Sequence, residues 1–579
     1  MILASFGQIL LGIIVFVFVL GSIIAIHEGG HFFFARKANV LCREYAFGMG
    51  PILWKKKKGE TLYTLRAFPI GGFCAIAGEV LEDDPLKENK KVRLEIVDDI
   101  VKNIYIDIDN VKYKDLPLHE IVNYDIFDEK ETGNLFIVVK DGEKEIEYKV
   151  DPQAFIYEKK IEYQIAPYNR TLNSKTKRER AMVMFGGSLM NILLAIFVFF
   201  IAGLIQGFPN TSSNTITNVD EYSPIYYATN VDDFTDAGLR NGDEIIFLRT
   251  NNLSIQKEVD TWVDLREFMD SFSTDLTSSS IIITYLRDGV EYDAIMSPQY
   301  VLYNAGISSN YLSNVPGEVA RVSTFSGNSG DNSQIKEGDI IRAIDGAYIN
   351  SWKEIYNAIY NNLEGDPMTI IIDKANYRVD SEGALLDEDY IKTSISGKPV
   401  FIESYTTDVS IEIRPYPNAL LEAQPSITGD EFARGVVLLG VAPEYSFSLG
   451  QSGLYALKQT KNGVLMIFRT LNLLFASEKV NVSDLSGPVG IFSLLTVIST
   501  QGFAMVLFWL GILSINIGLL NLLPIPALDG GRLVFLGYEA VTKRKPNQKV
   551  ETVLITITMT LLMGLMLYVT FNDIIGLFK

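Results

Sequence analysis

Four stretches of the chain carry no charged side chain: residues 2–26, 181–207, 485–528 and 552–572. Between them the sequence is ordinarily polar. Each stretch reaches the roughly 20 apolar residues that a helix needs to cross a bilayer. Four transmembrane helices are therefore expected. The third stretch, at 44 residues, is too long for one helix, and Gly487-Pro488 and Gly502 divide it. This places its span at Phe503–Leu522 and leaves 488–500 as interfacial or re-entrant apolar chain. The first stretch lacks a basic leader and a small-residue cleavage site, so it reads as an uncleaved span. Residues 453–475 are also apolar, but Lys458, Lys461 and Arg469 fall where a buried helix avoids charge. An amphipathic helix at the outer interface is expected there.

The polar segments have their own periodicity. From 85 to 175 polar and apolar residues alternate, as in Asn103-Ile104-Tyr105-Ile106 and Leu135-Phe136-Ile137-Val138, which predicts a β-rich insert. His119 lies in it and is expected to be an exposed polar residue. Between spans two and three, a turn-and-strand pattern occurs twice. The first copy is Asp236-Ala237-Gly238-Leu239-Arg240-Asn241-Gly242-Asp243-Glu244-Ile245-Ile246. The second is Ile335-Lys336-Glu337-Gly338-Asp339-Ile340-Ile341, with Ile344-Asp345-Gly346 and a helical pattern from Trp352. Glycine and aspartate turn the chain into an apolar strand in both. The pair resembles tandem PDZ domains, at 210–300 and 301–416, the second with an insertion at 374–400. Such domains hold extended chain ends by adding a strand to a sheet edge.

Charge sharpens this division. The chain has 51 Lys+Arg and 70 Asp+Glu, a net of −19. Residues 209–430 alone carry 14 basic and 35 acidic side chains, a net of −21, so the rest is near +2. An acidic chain of this kind argues against a nucleic-acid partner. Basic residues cluster at 36–58, 175–180 and 543–549, and short basic loops stay cytoplasmic. The expected topology puts the N-terminus outside, 35–180 inside, 208–500 outside, 523–550 inside and the C-terminus outside. The two cysteines, Cys42 and Cys74, then read as free thiols on the inner side.

The chemistry sits at the inner ends of two spans. Span one closes with His27-Glu28-Gly29-Gly30-His31, an H-E-x-x-H pattern holding two of the chain's three histidines. Residues four apart share a helix face, so both imidazoles can ligate one zinc ion. Glu28 is offset by one and suits a base that takes a proton from water at that metal. Span three ends with Asn516 through Asn521-Leu522-Leu523-Pro524-Ile525-Pro526-Ala527-Leu528-Asp529, and Asp529 is the first charge after the 44-residue stretch. Both spans run out-to-in, so both motifs reach one leaflet.

With these two motifs the chain resembles the site-2 protease family of intramembrane zinc metalloproteases, in its bacterial RseP/RasP type (regulator of sigma-E protease). Phe185-Gly186-Gly187-Ser188-Leu189-Met190-Asn191, Leu485-Ser486-Gly487-Pro488-Val489-Gly490 and Gln164–Arg170 are also family-like. The resemblance implies Asp529 as third zinc ligand beside His27 and His31, Glu28 as catalytic base, and Asn516 and Asn521 as substrate-binding or bracing groups. It also implies a membrane-associated β-hairpin at Glu60–Glu79 whose Gly71, Gly72 and Phe73 contact substrate. Gly29, where relatives carry a bulky residue, and Gly187-Ser188, in place of Gly-Pro, depart from the pattern. Neither is expected to touch a ligand.

The expected architecture is a polytopic α-helical membrane protein with four transmembrane helices, a membrane-associated β-hairpin and tandem extracytoplasmic PDZ domains of α+β type. Its segments are helix one at 1–35, the hairpin region at 36–84, the insert at 85–175 and helix two at 181–207. The PDZ pair, an interfacial segment at 430–500, helix three at 503–530 and helix four at 550–572 follow. The implied activity is regulated intramembrane proteolysis in the bacterial cytoplasmic membrane. Substrates would be anti-sigma factors and signal-peptide remnants already cut by an upstream site-1-type protease, with the PDZ pair filtering size. An inactive zinc-binding scaffold that presents PDZ domains stays open as the alternative, as does a peptidase for soluble peptides. No inverted repeat or second intramembrane charge pair supports a transporter.

Overall fold

The computed structural model describes residues 6–78, 86–87, 91–128, 132–141, 144–158, 161–217, 219, 223–231, 238–275, 277–311, 313, 315–322, 334–377, 392–393, 399–400, 402–415, 435–476 and 487–578. Asp236-Ala237, Leu485-Ser486 and most of the expected insertion at 374–400 lie outside the described residues. The helices, in chain order, are α1 (Phe6–Lys37), α2 (Lys177–Gln206), α3 (Trp262–Thr274), α4 (Trp352–Tyr360) and α5 (Leu449–Ala476). They continue with α6 (Pro488–Ile498), α7 (Phe503–Asn521), α8 (Asp529–Thr542) and α9 (Gln548–Phe578). Two compact units form. One is Met1–Ala202 with Gln459–Val464 and Asn481–Lys579; the other is Gly203–Lys458 with Leu465–Val480.

In the first unit α1, α2, α7 and α9 are long and apolar enough to cross a membrane. Their lengths follow from the uncharged stretches, because every backbone polar group inside a bilayer must be satisfied within its own helix. Val19 and Ile23 of α1, Val198 and Ala202 of α2, Leu495 and Ile498 of α6, and Leu507, Leu510 and Leu513 of α7 form one buried cluster. The stretch expected as interfacial or re-entrant chain at 488–500 is thus helical over Pro488–Ile498 and packs into this core. Pro488 opens it, at the first helical position, where its missing N–H costs no bond. The α9 residue Asp573 caps it, accepting from Gly487 N at 3.2 Å and Gly490 N at 2.8 Å.

The hairpin differs from expectation. Strands β1 (Cys42–Lys58) and β2 (Thr61–Ile76) pair, but residues 61–66 and 69–76, which would be the two arms of a hairpin within Glu60–Glu79, do not pair with each other. Glu44–Phe47 lies between them, with Phe47 opposite Gly72 on one side and Leu65 on the other, while Lys55 pairs with Thr64. The cause is in β1. Gly48 and Gly50 take φ of 84° and 85°, which folds that strand and lets its first half enter between the two halves of β2. Cys42 and Cys74 are free thiols, and both are buried.

The insert is β-rich as its alternation predicts. Strands β3 (Lys91–Val97), β4 (Ile100–Tyr105), β5 (Leu118–Asp125), β6 (Phe136–Asp141), β7 (Lys144–Glu158) and β8 (Ile161–Gln164) make one six-stranded sheet in the order 4-3-5-6-7-8. Val92, Leu94, Ile104, Ile137, Val139 and Ile156 form its core. His119 is half-buried instead of exposed, because strand β5 sets its ring 6.4 Å from that of Tyr148.

The second unit contains both glycine–aspartate repeats. Strands at Val290–Met296, Ile281–Arg287 and Glu244–Thr250 lie beside one another in the first half, with α3. Strands Ile340–Ile344, Met368–Tyr377 and Ile402–Ile413 do so in the second, with α4. The repeated aspartates do the same work. Asp243 accepts from Arg240 N at 2.7 Å, and Asp339 from Lys336 N at 2.8 Å, so each carboxylate closes its own turn. One core joins the halves, including Leu248, Phe272 and Ile283 with Ile355, Tyr356 and Ile370. Lys353 of α4 is buried there and donates to the carbonyls of Phe272 and Ser278 at 2.8 and 3.0 Å. The segment expected to be interfacial over 430–500 includes, in its first described residues, a strand of this unit. Gly435–Leu438 pairs with Gln299–Leu302, because its apolar side chains complete that sheet. Only afterwards does the chain become the amphipathic α5, whose Leu454, Leu457, Leu465 and Phe468 are exposed.

Candidate metal centre

Helix α1 places His27 and His31 one turn apart with their rings 4.9 Å centre to centre. Helix α2 crosses α1 closely at this level. A Cβ on Gly30 would stand 2.2 Å from the Gly186 carbonyl oxygen, so only a pair of glycines permits this approach. Helix α7 stops at Asn521, and Pro524 and Pro526 prevent it from resuming. The turn that follows starts α8 at Asp529, where an acidic group also favours the helix N-terminus. At the far end of α8, Glu539 receives Arg180 of α2 at 2.8 Å, and Lys177 donates to its carbonyl at 3.0 Å. Asp529 is thereby held from two ends.

Three atoms result that face one another. His27 Nε2, His31 Nε2 and Asp529 Oδ2 are mutually 3.3 Å apart. That is the edge of a tetrahedron whose centre lies about 2.0 Å from each corner, the length of a zinc–nitrogen or zinc–oxygen bond. The Asp529 oxygen is buried and has no hydrogen-bond partner among the described residues; a coordinated cation would satisfy it. The donor set, two imidazoles and one carboxylate, is that of a catalytic zinc site with a fourth position open. Among the described residues these three form the one group of His, Cys, Asp and Glu able to hold a metal.

Glu28 lies beside this triad. The backbone N–H of Cys74 bonds its carboxylate, and a Cβ on Gly72 would come within 3.4 Å of its Cγ. The 72–76 half of β2 therefore runs along α1 at the level of the metal. Gly71 takes φ of 79°, Gly72 lies against the Ala46 carbonyl, and Phe73 stacks under Arg66 at 5.1 Å. Asn521 reaches the centre, its Nδ2 3.3 Å from His27 Nε2. Asn516 does not: its Oδ1 is buried without a partner among the described residues, and its side chain makes no bond to the triad.

Helix α2 enters the site in a way that motif reading alone missed. His31 Nδ1 lies 2.8 Å from the Val183 carbonyl, and His27 Nδ1 3.3 Å from Asn191 Nδ2. Gly187, between them, touches both ligand rings, contrary to expectation. A Cβ there would be 2.4 Å from His31 Nε2 and 2.8 Å from His27 Nε2. The signal was present as the i, i+4, i+8 spacing of Val183, Gly187 and Asn191, which puts them on one helix face.

A two-histidine, one-carboxylate centre between apolar helices, with a second carboxylate one residue from a ligand, marks a membrane metallopeptidase. Known sequences agree. Residues 15–565 match Peptidase family M50, and the chain belongs to that family of zinc metalloproteases. It is 26% identical over 570 residues to the zinc metalloprotease RasP of Shouchella clausii, covering 98% of this chain and 99% of that one. To the RasP of Oceanobacillus iheyensis it is 28% identical over 578 residues, at 98% and 99% coverage. To that of Geobacillus kaustophilus it is 28% identical over 567 residues, with 97% of each chain covered.

Proposed function

We propose that this zinc metalloprotease cuts single-span membrane proteins within the bilayer, with Glu28 as its base and His27, His31 and Asp529 as its metal ligands. The observation that carries the reading is the meeting of three things at one level of the apolar helices: the ligand triad, Glu28 and the 72–76 strand. When bound, zinc supplies the Lewis acidity that acidifies water and polarises a peptide carbonyl. Glu28 Oε takes the proton of the attacking water and returns it to the leaving amine nitrogen. The Cys74 N–H orients the Glu28 carboxylate for both transfers. Asn521 Nδ2, 3.3 Å from His27 Nε2, would donate to the carbonyl oxygen as negative charge develops there.

A transmembrane helix hides its amides in its own hydrogen bonds, so the substrate must unwind before it can be cut. The strand around Gly71, Gly72 and Phe73 offers backbone groups with which an extended segment can pair beside Glu28. Asn516, whose buried Oδ1 has no partner among the described residues, is assigned with Asn521 to substrate binding. The glycine–aspartate repeats of the second unit act as tandem PDZ domains outside the membrane. They screen membrane stubs, such as anti-sigma factors or signal-peptide remnants, left by an upstream site-1-type protease. The chain resides in the bacterial cytoplasmic membrane with the metal near the cytoplasmic leaflet.

The test is cleavage of a single-span peptide in detergent or bilayer, compared with the same cleavage sequence in a soluble peptide. Wild type is expected to cut the embedded peptide, and Glu28→Gln to bind zinc without cutting. Equal cleavage of the soluble peptide would refute the intramembrane reading. Persisting activity in the variant would refute Glu28 as the base.

A further inference from the structure

Each imidazole of the triad needs Nε2 free for the metal, so each needs its proton on Nδ1 and an acceptor for that proton. For His31 the acceptor is the Val183 carbonyl at 2.8 Å. Among the described residues, the group at His27 Nδ1 is the Asn191 side chain, whose Nδ2 lies 3.3 Å away. An amide nitrogen can only donate, which would force the proton of a neutral His27 onto Nε2 and close that atom to a metal. The other end of the same amide settles the matter. Asn191 is fully buried, and its Oδ1 has no partner among the described residues. Amide oxygen and nitrogen are assigned from the hydrogen-bond network. Turning the amide end for end brings Oδ1 to His27 Nδ1, gives that oxygen its donor and leaves His27 Nε2 unprotonated, as the Asn521 Nδ2 donor 3.3 Å from it also requires.

We infer that Asn191 is a positioning residue: its Oδ1 accepts the His27 Nδ1 proton, fixes the tautomer and aims His27 Nε2 at the zinc position. The inference rests on His27, His31 and Asp529 as ligands. Helix α2 then supplies both outer acceptors, the Val183 carbonyl and the Asn191 amide, two turns apart on the face that also carries Gly187. The Asn191 backbone carbonyl is separately engaged by Ser514 Oγ at 2.8 Å, so a change of side chain leaves that helix contact in place.

The test measures zinc, independently of cleavage. Full-length wild type, Asn191→Leu and Asn191→Asp are stripped of metal, reloaded, and their zinc affinities read by chelator competition. Leucine keeps the volume and cannot accept; aspartate accepts. The expected result is about 10- to 100-fold weaker zinc for leucine, the usual effect of removing an outer partner, and near wild-type affinity for aspartate. Equal affinity of the leucine variant and wild type would overturn the inference, as would an aspartate variant no better than leucine. A second reading uses wild type alone. Imidazole nitrogen NMR of the zinc-free chain, which has three histidines to assign, is expected to show His27 protonated on Nδ1. Protonation on Nε2 would overturn the inference even if the variants fail to fold. A wild type that takes up no zinc, or an Asp529→Ala that keeps it fully, would instead refute the ligand set.

Discussion

Gly187→Ala adds one methyl group at the metal centre and is expected to loosen zinc without unfolding the chain. The added carbon would stand 2.4 Å from His31 Nε2 and 2.8 Å from His27 Nε2 and Cε1. Ordinary contact begins at 3.4 Å. The His31 ring must therefore retreat by about 1 Å, whereas ligand positions tolerate only about 0.2 Å. Overpacking of this kind costs roughly 1–3 kcal/mol. If the strain falls on the metal-bound geometry, the zinc dissociation constant rises about 5- to 150-fold. Alanine in place of glycine favours α2 itself by about 1 kcal/mol, so the helix is not the casualty. The assay is chelator competition on the purified chain, with thermal unfolding of the zinc-free form as the check on folding. Gly29→Ala is the control. A Cβ there meets, among the described residues, only Tyr45 Oη, at 3.6 Å, and is expected to leave zinc affinity unchanged. A Gly187→Ala chain that binds zinc and cleaves like wild type would refute the placement of α2 against the two imidazoles.

Other expectations follow from the same structure. Glu28→Gln should retain stoichiometric zinc while losing a factor of about 10²–10⁴ in cleavage rate, read by metal analysis and peptide turnover. Asp529→Ala should bind zinc poorly; retained stoichiometric zinc in a folded variant counts against the third ligand. Lys353→Met should destabilise the second unit by about 1–3 kcal/mol in denaturant unfolding, because the Phe272 and Ser278 carbonyls lose their donor. Burial lowers Lys353 to about 8. Its unfolded value is about 10.4, so between these two pH values the unfolded chain binds more protons and stability due to this group rises with pH. Wild type should show that rise and Lys353→Met should lack it. Asp573→Ala should cost about 1 kcal/mol of stability by uncapping α6, and an unchanged unfolding midpoint would show the cap to be idle.

Much of this was legible before folding because bilayer physics writes itself into a linear pattern. Uncharged stretches located α1, α2, α7 and α9, and the i, i+4 spacing of His27 and His31 named a metal face. The Gly-Asp turns marked the two halves of the second unit. The β1–β2 register was less legible. Gly71, Gly72 and Phe73 were singled out, but their partner across the sheet, Ala46-Phe47, was not. Pairing depends on where Gly48 and Gly50 fold β1, and the alternation of residues does not record which strand slips between two others.

By itself, then, the sequence determined which segments are apolar enough to be helices in a membrane, and which side chains can ligate a metal. It also placed both ligand motifs at the same end of their spans. Only the tertiary structure decided that Asp529, 498 residues from His31, stands 3.3 Å from it. It alone decided that α2 lines the histidines and that Cys74 bonds Glu28. The physical reason is that a helix pattern fixes the face a residue occupies, whereas which helix meets that face depends on close approach. Gly30 against Gly186, and Gly187 against two imidazoles, are contacts in which no side chain intervenes.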